Sequence, residues 1–244
     1  MRSMVAKRAD LRAVKPEPEE ARWGFLTNYA VLLAYVVLHP ESTVRAIAQG
    51  IGITERAALS ILRDLDDEEI VFRHREGRRN TYTVDFERLG AMRRGGEASA
   101  LTPRLFVNGI VGMLFEMATQ HGIDVTRSTT PRHTHERDLQ PRAGTWGFFT
   151  NHMLVLLAIA HDPSRTVREL AATASITERA VVGIINQLES ASIIRRWREG
   201  RRTRYSIDFD GFRAFRGWSY GEWSIAPRLV EAAIVAIEGL GRGE

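Results

Sequence analysis

The chain has 244 residues, a hydrophobic fraction of 44% and a formal net charge of +4, enough apolar side chain for one or two domains with real cores. It contains no cysteine, which excludes disulfides and thiolate metal sites, and no apolar run approaches the roughly 18 residues of a membrane-spanning helix. Lysine occurs only at Lys7 and Lys15, so the basic charge is almost wholly arginine, the side chain better suited to bidentate contact with phosphate or guanine.

Residues 1–21 read as a mobile tail. Its start, MRSMVAKRAD, lacks the apolar core of a secretory signal, so a cytoplasmic protein is expected. Thr27 or Asn28 then caps a helix over YAVLLAYVVLH, which is apolar almost all round and therefore buried. Pro40 ends it. STV from Ser42 reads as a short strand, and VRAIAQGIG as a second, short helix closed by glycine. Thr54 caps a third helix, ERAALSILRDLDDEE, whose Ala58, Ile61, Leu62 and Leu65 fall on one face. Two β-forming runs follow, IVFRHR and NTYTVDF, flanking Glu76-Gly77-Arg78-Arg79 as the turn of a hairpin. A short helix near Phe86 and a long apolar one from about Leu105 to Thr119 complete the first half. The stretch from His121 to Gly144 is polar, contains prolines and has no periodicity, so it reads as a linker. His133 and His135 lie within it without cysteines or a carboxylate pattern, and solvated linker side chains describe them better than metal ligands.

From Trp146 the sequence starts again. Trp23 to Phe86 aligns without a gap to Trp146 to Phe209, with 28 of 64 positions identical. WGFLTN matches WGFFTN, ITERA matches ITERA, REGRR matches REGRR, and Tyr82 matches Tyr205. After one extra residue, TPRL at Thr102 aligns with APRL at Ala226. The chain is a tandem duplication, with a first domain over 22–120, the linker at 121–144 and a second domain over 145–244. Each carries a C-terminal helix expected to pair with its counterpart. Gly50 and Gly52 become Thr173 and Ser175, so the second copy's turn must avoid positive φ or accept strain.

The order helix, strand, helix, helix, hairpin, carried by ITERAALSILRDL…IVFR…EGRRNTYTV and ITERAVVGIINQL…IIRR…EGRRTRYSI, resembles the winged helix-turn-helix DNA-binding domains of MarR-type and related prokaryotic transcription regulators. The resemblance implies a mainly α fold with small β-hairpin wings (α+β), two winged helices in tandem about a pseudo-two-fold. It further implies double-stranded DNA as partner, transcription regulation as function and a nucleoid-associated location. The third helix of each copy would enter the major groove N-terminal end first. Thr54 and Thr177 would meet a phosphate or a thymine methyl, and Arg56 and Arg179 a guanine. Glu55 and Glu178 would either accept from cytosine or simply favour the positive helix N-terminus. Arg73, Arg75, Arg78 and Arg79 on the first wing, and Arg196, Arg198, Arg201, Arg202 and Arg204 on the second, would lie along the backbone or in the minor groove. Tyr82 and Tyr205 fit the base of the wing better than a DNA contact.

The copies differ in charge. Thr54 to Tyr82 carries six arginines against seven acidic residues, a net of −1; Thr177 to Tyr205 carries seven against three, a net of +4. Copy two is expected to bind phosphate more strongly. Leu59-Ser60 faces Val182-Gly183 in the alignment, and Arg63 faces Asn186, so an asymmetric operator is expected. The second copy alone follows its wing with Phe212, Phe215, Trp218, Tyr220 and Trp223. These rings would either hold a small aromatic effector or pack into the core between the copies. Glycine loops for phosphate, a glycine-flanked nucleophilic serine and a histidine-glutamate metal motif are all missing from the sequence. The expectation is a cofactor-free, metal-free binding protein without enzymatic activity. One chain would act as a monomeric pseudo-dimer able to dimerise further. The competing readings are a winged-helix module that binds protein, and a protein that coats DNA without sequence preference.

Overall fold

In the computed structural model, which describes residues 23–76, 79–91 and 147–242, Thr27 and not Asn28 starts the first helix. Its side chain accepts from the Ala30 amide at 3.4 Å, and α1 runs Asn28–Leu38. Thr43 caps α2 (Val44–Ile51), and Gly52, left-handed at φ 74°, closes it. Thr54 caps α3 (Glu55–Asp67), which buries Ala58, Ile61, Leu62 and Leu65, the stripe expected from spacing. A buried aliphatic side chain contributes roughly 1.5–3 kcal/mol and a cap about 1 kcal/mol, so the stripe holds α3 and the cap sets where it starts. A hairpin of β1 (Val71–Glu76) and β2 (Arg79–Val84) follows, then α4 (Phe86–Ala91). Copy two repeats the plan with α5 (Asn151–His161), α6 (Val167–Ala174), α7 (Glu178–Ser190), β3 (Ile194–Glu199), β4 (Arg202–Ile207) and α8 (Phe209–Ala214). A 3-10 turn at Arg216–Trp218, a short ribbon of β5 (Ser219–Tyr220) and β6 (Trp223–Ser224), and α9 (Pro227–Arg242) complete it. The protein is mixed α+β, mainly helical with small antiparallel hairpins. Among the described residues no helix is long and apolar enough to cross a membrane.

Two expectations change and one open alternative is decided. STV is not a strand, because Thr43 spends its side chain on the Ala46 amide as the cap of α2. Just before it, Pro40 O accepts from Tyr82 N of β2 at 2.8 Å, repeated in copy two as Pro163 O from Tyr205 N at 3.1 Å. The hairpin turns are also shorter than expected. Glu76 pairs with Arg79 and Glu199 with Arg202, as the last rungs of their ladders. In copy two this leaves Gly200 and Arg201 as the turn, with Gly200 at φ 62°, a positive φ at the place a type II′ turn requires it. Finally, Ser175 takes the left-handed conformation of Gly52 (φ 54°) and so accepts the strain. The expected tail, the expected linker and the expected long helix over Leu105, Ile110 and Leu114 lie outside the described residues.

The copies meet through reciprocal contacts. Leu26 and Phe149, equivalent in the repeat, form an antiparallel bridge. Thr27 N donates to Phe148 O at 2.9 Å and Thr150 N to Phe25 O at 3.0 Å. The Thr27 hydroxyl donates to Gly147 O, and the Thr150 hydroxyl to Gly24 O at 2.6 Å. Around this bridge the core is continuous across the two expected domains. Phe25 is fully buried and its ring lies 4.9 Å from Phe212, 5.2 Å from Phe215 and 5.2 Å from Trp218. Trp23 stacks on Phe215 and on His152.

Beyond the 3-10 turn, the ribbon of copy two straps the α2–α3 turn of copy one. Glu222 N donates to Gly50 O at 3.0 Å, Gln49 Nε2 donates to Glu222 Oε1 at 3.1 Å, and the Gly52 and Gly221 backbones touch. A Cβ on Gly221 would fall 2.5 Å from Gly52 N and 2.8 Å from Gly50 O, backbone atoms that cannot swing aside. Gly221→Ala should therefore lower stability. Ser175→Gly should raise it by about 1 kcal/mol, because glycine adopts the left-handed cap without a Cβ clash. Denaturant titration of both variants reads the two signs, and a loss for Ser175→Gly or no change for Gly221→Ala contradicts this account.

Candidate nucleic-acid interface

The third helix of each copy starts at an exposed cap. Thr54 accepts from Ala57 N at 3.2 Å and Thr177 from Ala180 N at 3.2 Å, which leaves each hydroxyl hydrogen outside the cap. Glu55 and Glu178 occupy the first turn, where a carboxylate complements the helix dipole. Arg56 and Arg179 are exposed beside them. Further along, one outward position in each helix is tied to the first helix of its copy. Tyr29 Oη donates to Asp64 Oδ2 at 2.5 Å, and His152 Nε2 lies 2.8 Å from Gln187 Oε1. These are equivalent positions with different chemistry. Burial, and then the Asp64 bond, push the Tyr29 hydroxyl up to about 12.

The hairpins have two distinct faces. Arg196 lies across from Tyr205 and Arg73 across from Tyr82. Both tyrosines are buried, as expected for the base of the hairpin, and burial raises both hydroxyls above their ordinary value. On the other face of the second hairpin, Trp197 pairs with Arg204, Arg195 with Ser206 and Glu199 with Arg202. Trp197 is 47% exposed. Sequence reasoning missed it, although alternation from buried Ile194 places residue 197 on the outer face. Copy one has His74 there, with Nε2 3.0 Å from Thr83 Oγ1. Arg73 and Arg75 are exposed on the first hairpin. Arg78 lies outside the described residues, and the strand position of Arg79 is known without its side chain.

Ion pairs refine the charge contrast between the copies. Arg195 binds Asp208 at 3.0 Å, Arg196 binds Glu189 at 3.0 Å and Arg204 binds Glu199 at 2.8 Å. Among the described residues Arg179, Arg198, Arg201 and Arg202 hold no carboxylate, and they carry uncompensated charge in the stretch from Thr177 to Tyr205. Exposed pairs of this kind contribute about 0–1 kcal/mol each, so the three paired arginines remain available for exchange onto phosphate.

The five aromatic residues after the second hairpin do not stand apart from the core. Phe212, Phe215 and Trp218 are buried, and Trp218 Nε1 donates to Phe212 O at 2.8 Å. Tyr220 Oη accepts from Leu26 N at 3.4 Å, and Trp223 meets Tyr35 edge-on at 5.7 Å. Of the two readings of this cluster, packing between the copies describes these contacts.

His152, against Trp23, is held below its ordinary value of 6.5 by burial, opposed by its Gln187 bond. As pH falls through about 6.5 the unfolded chain takes up this proton before the folded one does. The stability linked to neutral His152 is therefore fully present above that value and is lost progressively below it. Melting temperature should decline from pH 7 to pH 5, and His152→Phe should flatten part of that decline. An unchanged slope in the variant contradicts the assignment.

Compared with known proteins, the chain matches no family model, no curated protein and no solved structure.

Proposed function

We propose that the chain is a sequence-specific double-stranded DNA-binding transcription regulator, built as two winged helix-turn-helix units joined in one pseudo-dimer. One observation carries the proposal. Each copy sets a capped helix with an exposed arginine at its start (Arg56, Arg179) beside an arginine-bearing hairpin, and the two copies face each other through reciprocal contacts. Helix N-termini and arginines suit phosphate and guanine, and reciprocal pairing suits two half-sites on one duplex. In this reading α3 and α7 enter successive major grooves and the hairpins act as wings.

A band-shift titration with random duplex at two salt concentrations, with and without competitor, tests the proposal. Salt-sensitive binding that discriminates among competitor sequences supports it. Salt-sensitive binding that ignores competitor sequence identifies a coating protein, and no binding at low salt identifies a protein-interaction module.

A further inference from the structure

Building on the proposed DNA reading, we infer that Arg63 and Asn186 are the specificity-determining pair, selecting a guanine in the half-site under copy one and an adenine at the symmetry-related position under copy two. Five positions of each third helix are candidates to read bases, and the structure divides them. The position of Asp64 and Gln187 is occupied by its bond to Tyr29 or His152. The position of Arg56 and Arg179 is arginine in both copies and cannot distinguish the half-sites. The neighbouring outward pair differs in bulk, with half-buried Leu59 and exposed Ser60 against exposed Val182 and Gly183. That leaves Arg63 and Asn186, equivalent in the repeat, both exposed and both without a hydrogen-bond or ion-pair partner among the described residues. Their chemistries diverge in the way the major groove separates bases. Arginine matches guanine O6 and N7, and asparagine matches adenine N7 and N6.

The surroundings agree with this division. Val182, one turn before Asn186, is 42% exposed, an apolar contact of the kind a thymine methyl accepts. A Cβ at Gly183 would meet nothing within 4 Å among the described residues, so none of them fills the space beside Val182 on that face. Copy two thus presents an A·T-reading surface inside its arginine frame, and copy one a G·C-reading surface.

The test is selection of bound sites from a random duplex library with the intact chain, followed by the same selection with Asn186→Arg and Arg63→Asn. Both positions are exposed, and circular dichroism melting of each variant checks that it folds. Wild type should select an asymmetric site with adenine in one half and guanine at the related position in the other. Asn186→Arg should turn that adenine to guanine and make the site palindromic there. Arg63→Asn should turn the guanine to adenine. Each preference should be roughly 5- to 150-fold. Replacing thymine by deoxyuridine in the copy-two half-site should weaken wild type and leave Val182→Ala unaffected. A wild-type site already palindromic at this position, or a position unmoved by either swap, overturns the inference while leaving sequence-specific binding intact. Duplex binding with no enriched sequence overturns it in favour of coating. No duplex binding by wild type overturns the DNA reading and this inference with it.

Discussion

Phe25→Ala is expected to destabilise the whole chain by about 3–5 kcal/mol. Phe25 belongs to copy one, yet it is fully buried against Phe212, Phe215 and Trp218 of copy two. Truncation removes a large ring and leaves a cavity whose walls are other rings, which cannot collapse far. Because one core serves both copies, the variant should still melt in a single transition at lower temperature. Calorimetry alongside helical circular dichroism reads this. Two separate transitions, or a loss below about 1 kcal/mol, would show that the copies are independent units. The same geometry makes an isolated second copy a poor reagent, since cutting the chain would expose Phe212, Phe215 and Trp218.

The second large effect concerns charge. Replacing Arg201 and Arg202 together by alanine should weaken duplex binding about tenfold or more at low salt, and more than replacing Arg78 and Arg79. Arg201 and Arg202 sit at the turn of the more basic copy and hold no carboxylate among the described residues, so they reach phosphate without first breaking an ion pair. Each lost phosphate contact should reduce the slope of log affinity against log salt by about 0.9. The measurement is a salt titration of wild type and both double variants. Equal losses, or a larger loss from the first hairpin, would contradict the ranking.

Much of the fold was legible because the repeat states it twice. The cap at Thr54, a cap at Thr27 or its neighbour Asn28, the apolar stripe of α3 and the ladder below REGRR follow from local rules of spacing and hydrogen bonding. The missed features are those that local rules cannot carry. STV has strand-forming residues, but a strand needs a partner ladder, and Thr43 has a cap to make instead. The strap across Gly52 and Gly221 joins residues far apart in sequence, and no pattern within either segment announces it. Once it is known, the glycine at position 52 has a physical reading, because a Cβ there would fall 3.0 Å from the Gly221 backbone. Of the candidate site, residue types and helix faces could be read from the sequence. The back-bonds that occupy Asp64 and Gln187 and the ion pairs on Arg195, Arg196 and Arg204 required the packed structure, whereas the outward face of Trp197 follows from strand alternation and was overlooked.

The central claim is that one chain supplies both halves of a DNA-binding pair. Native mass spectrometry of the intact protein on a duplex recovered by selection, with nuclease footprinting of the same complex, tests it most directly. The account predicts one chain per duplex and protection of two half-sites about one helical turn apart, roughly 34–36 Å. Two chains per duplex, or one chain protecting a single half-site, would contradict it.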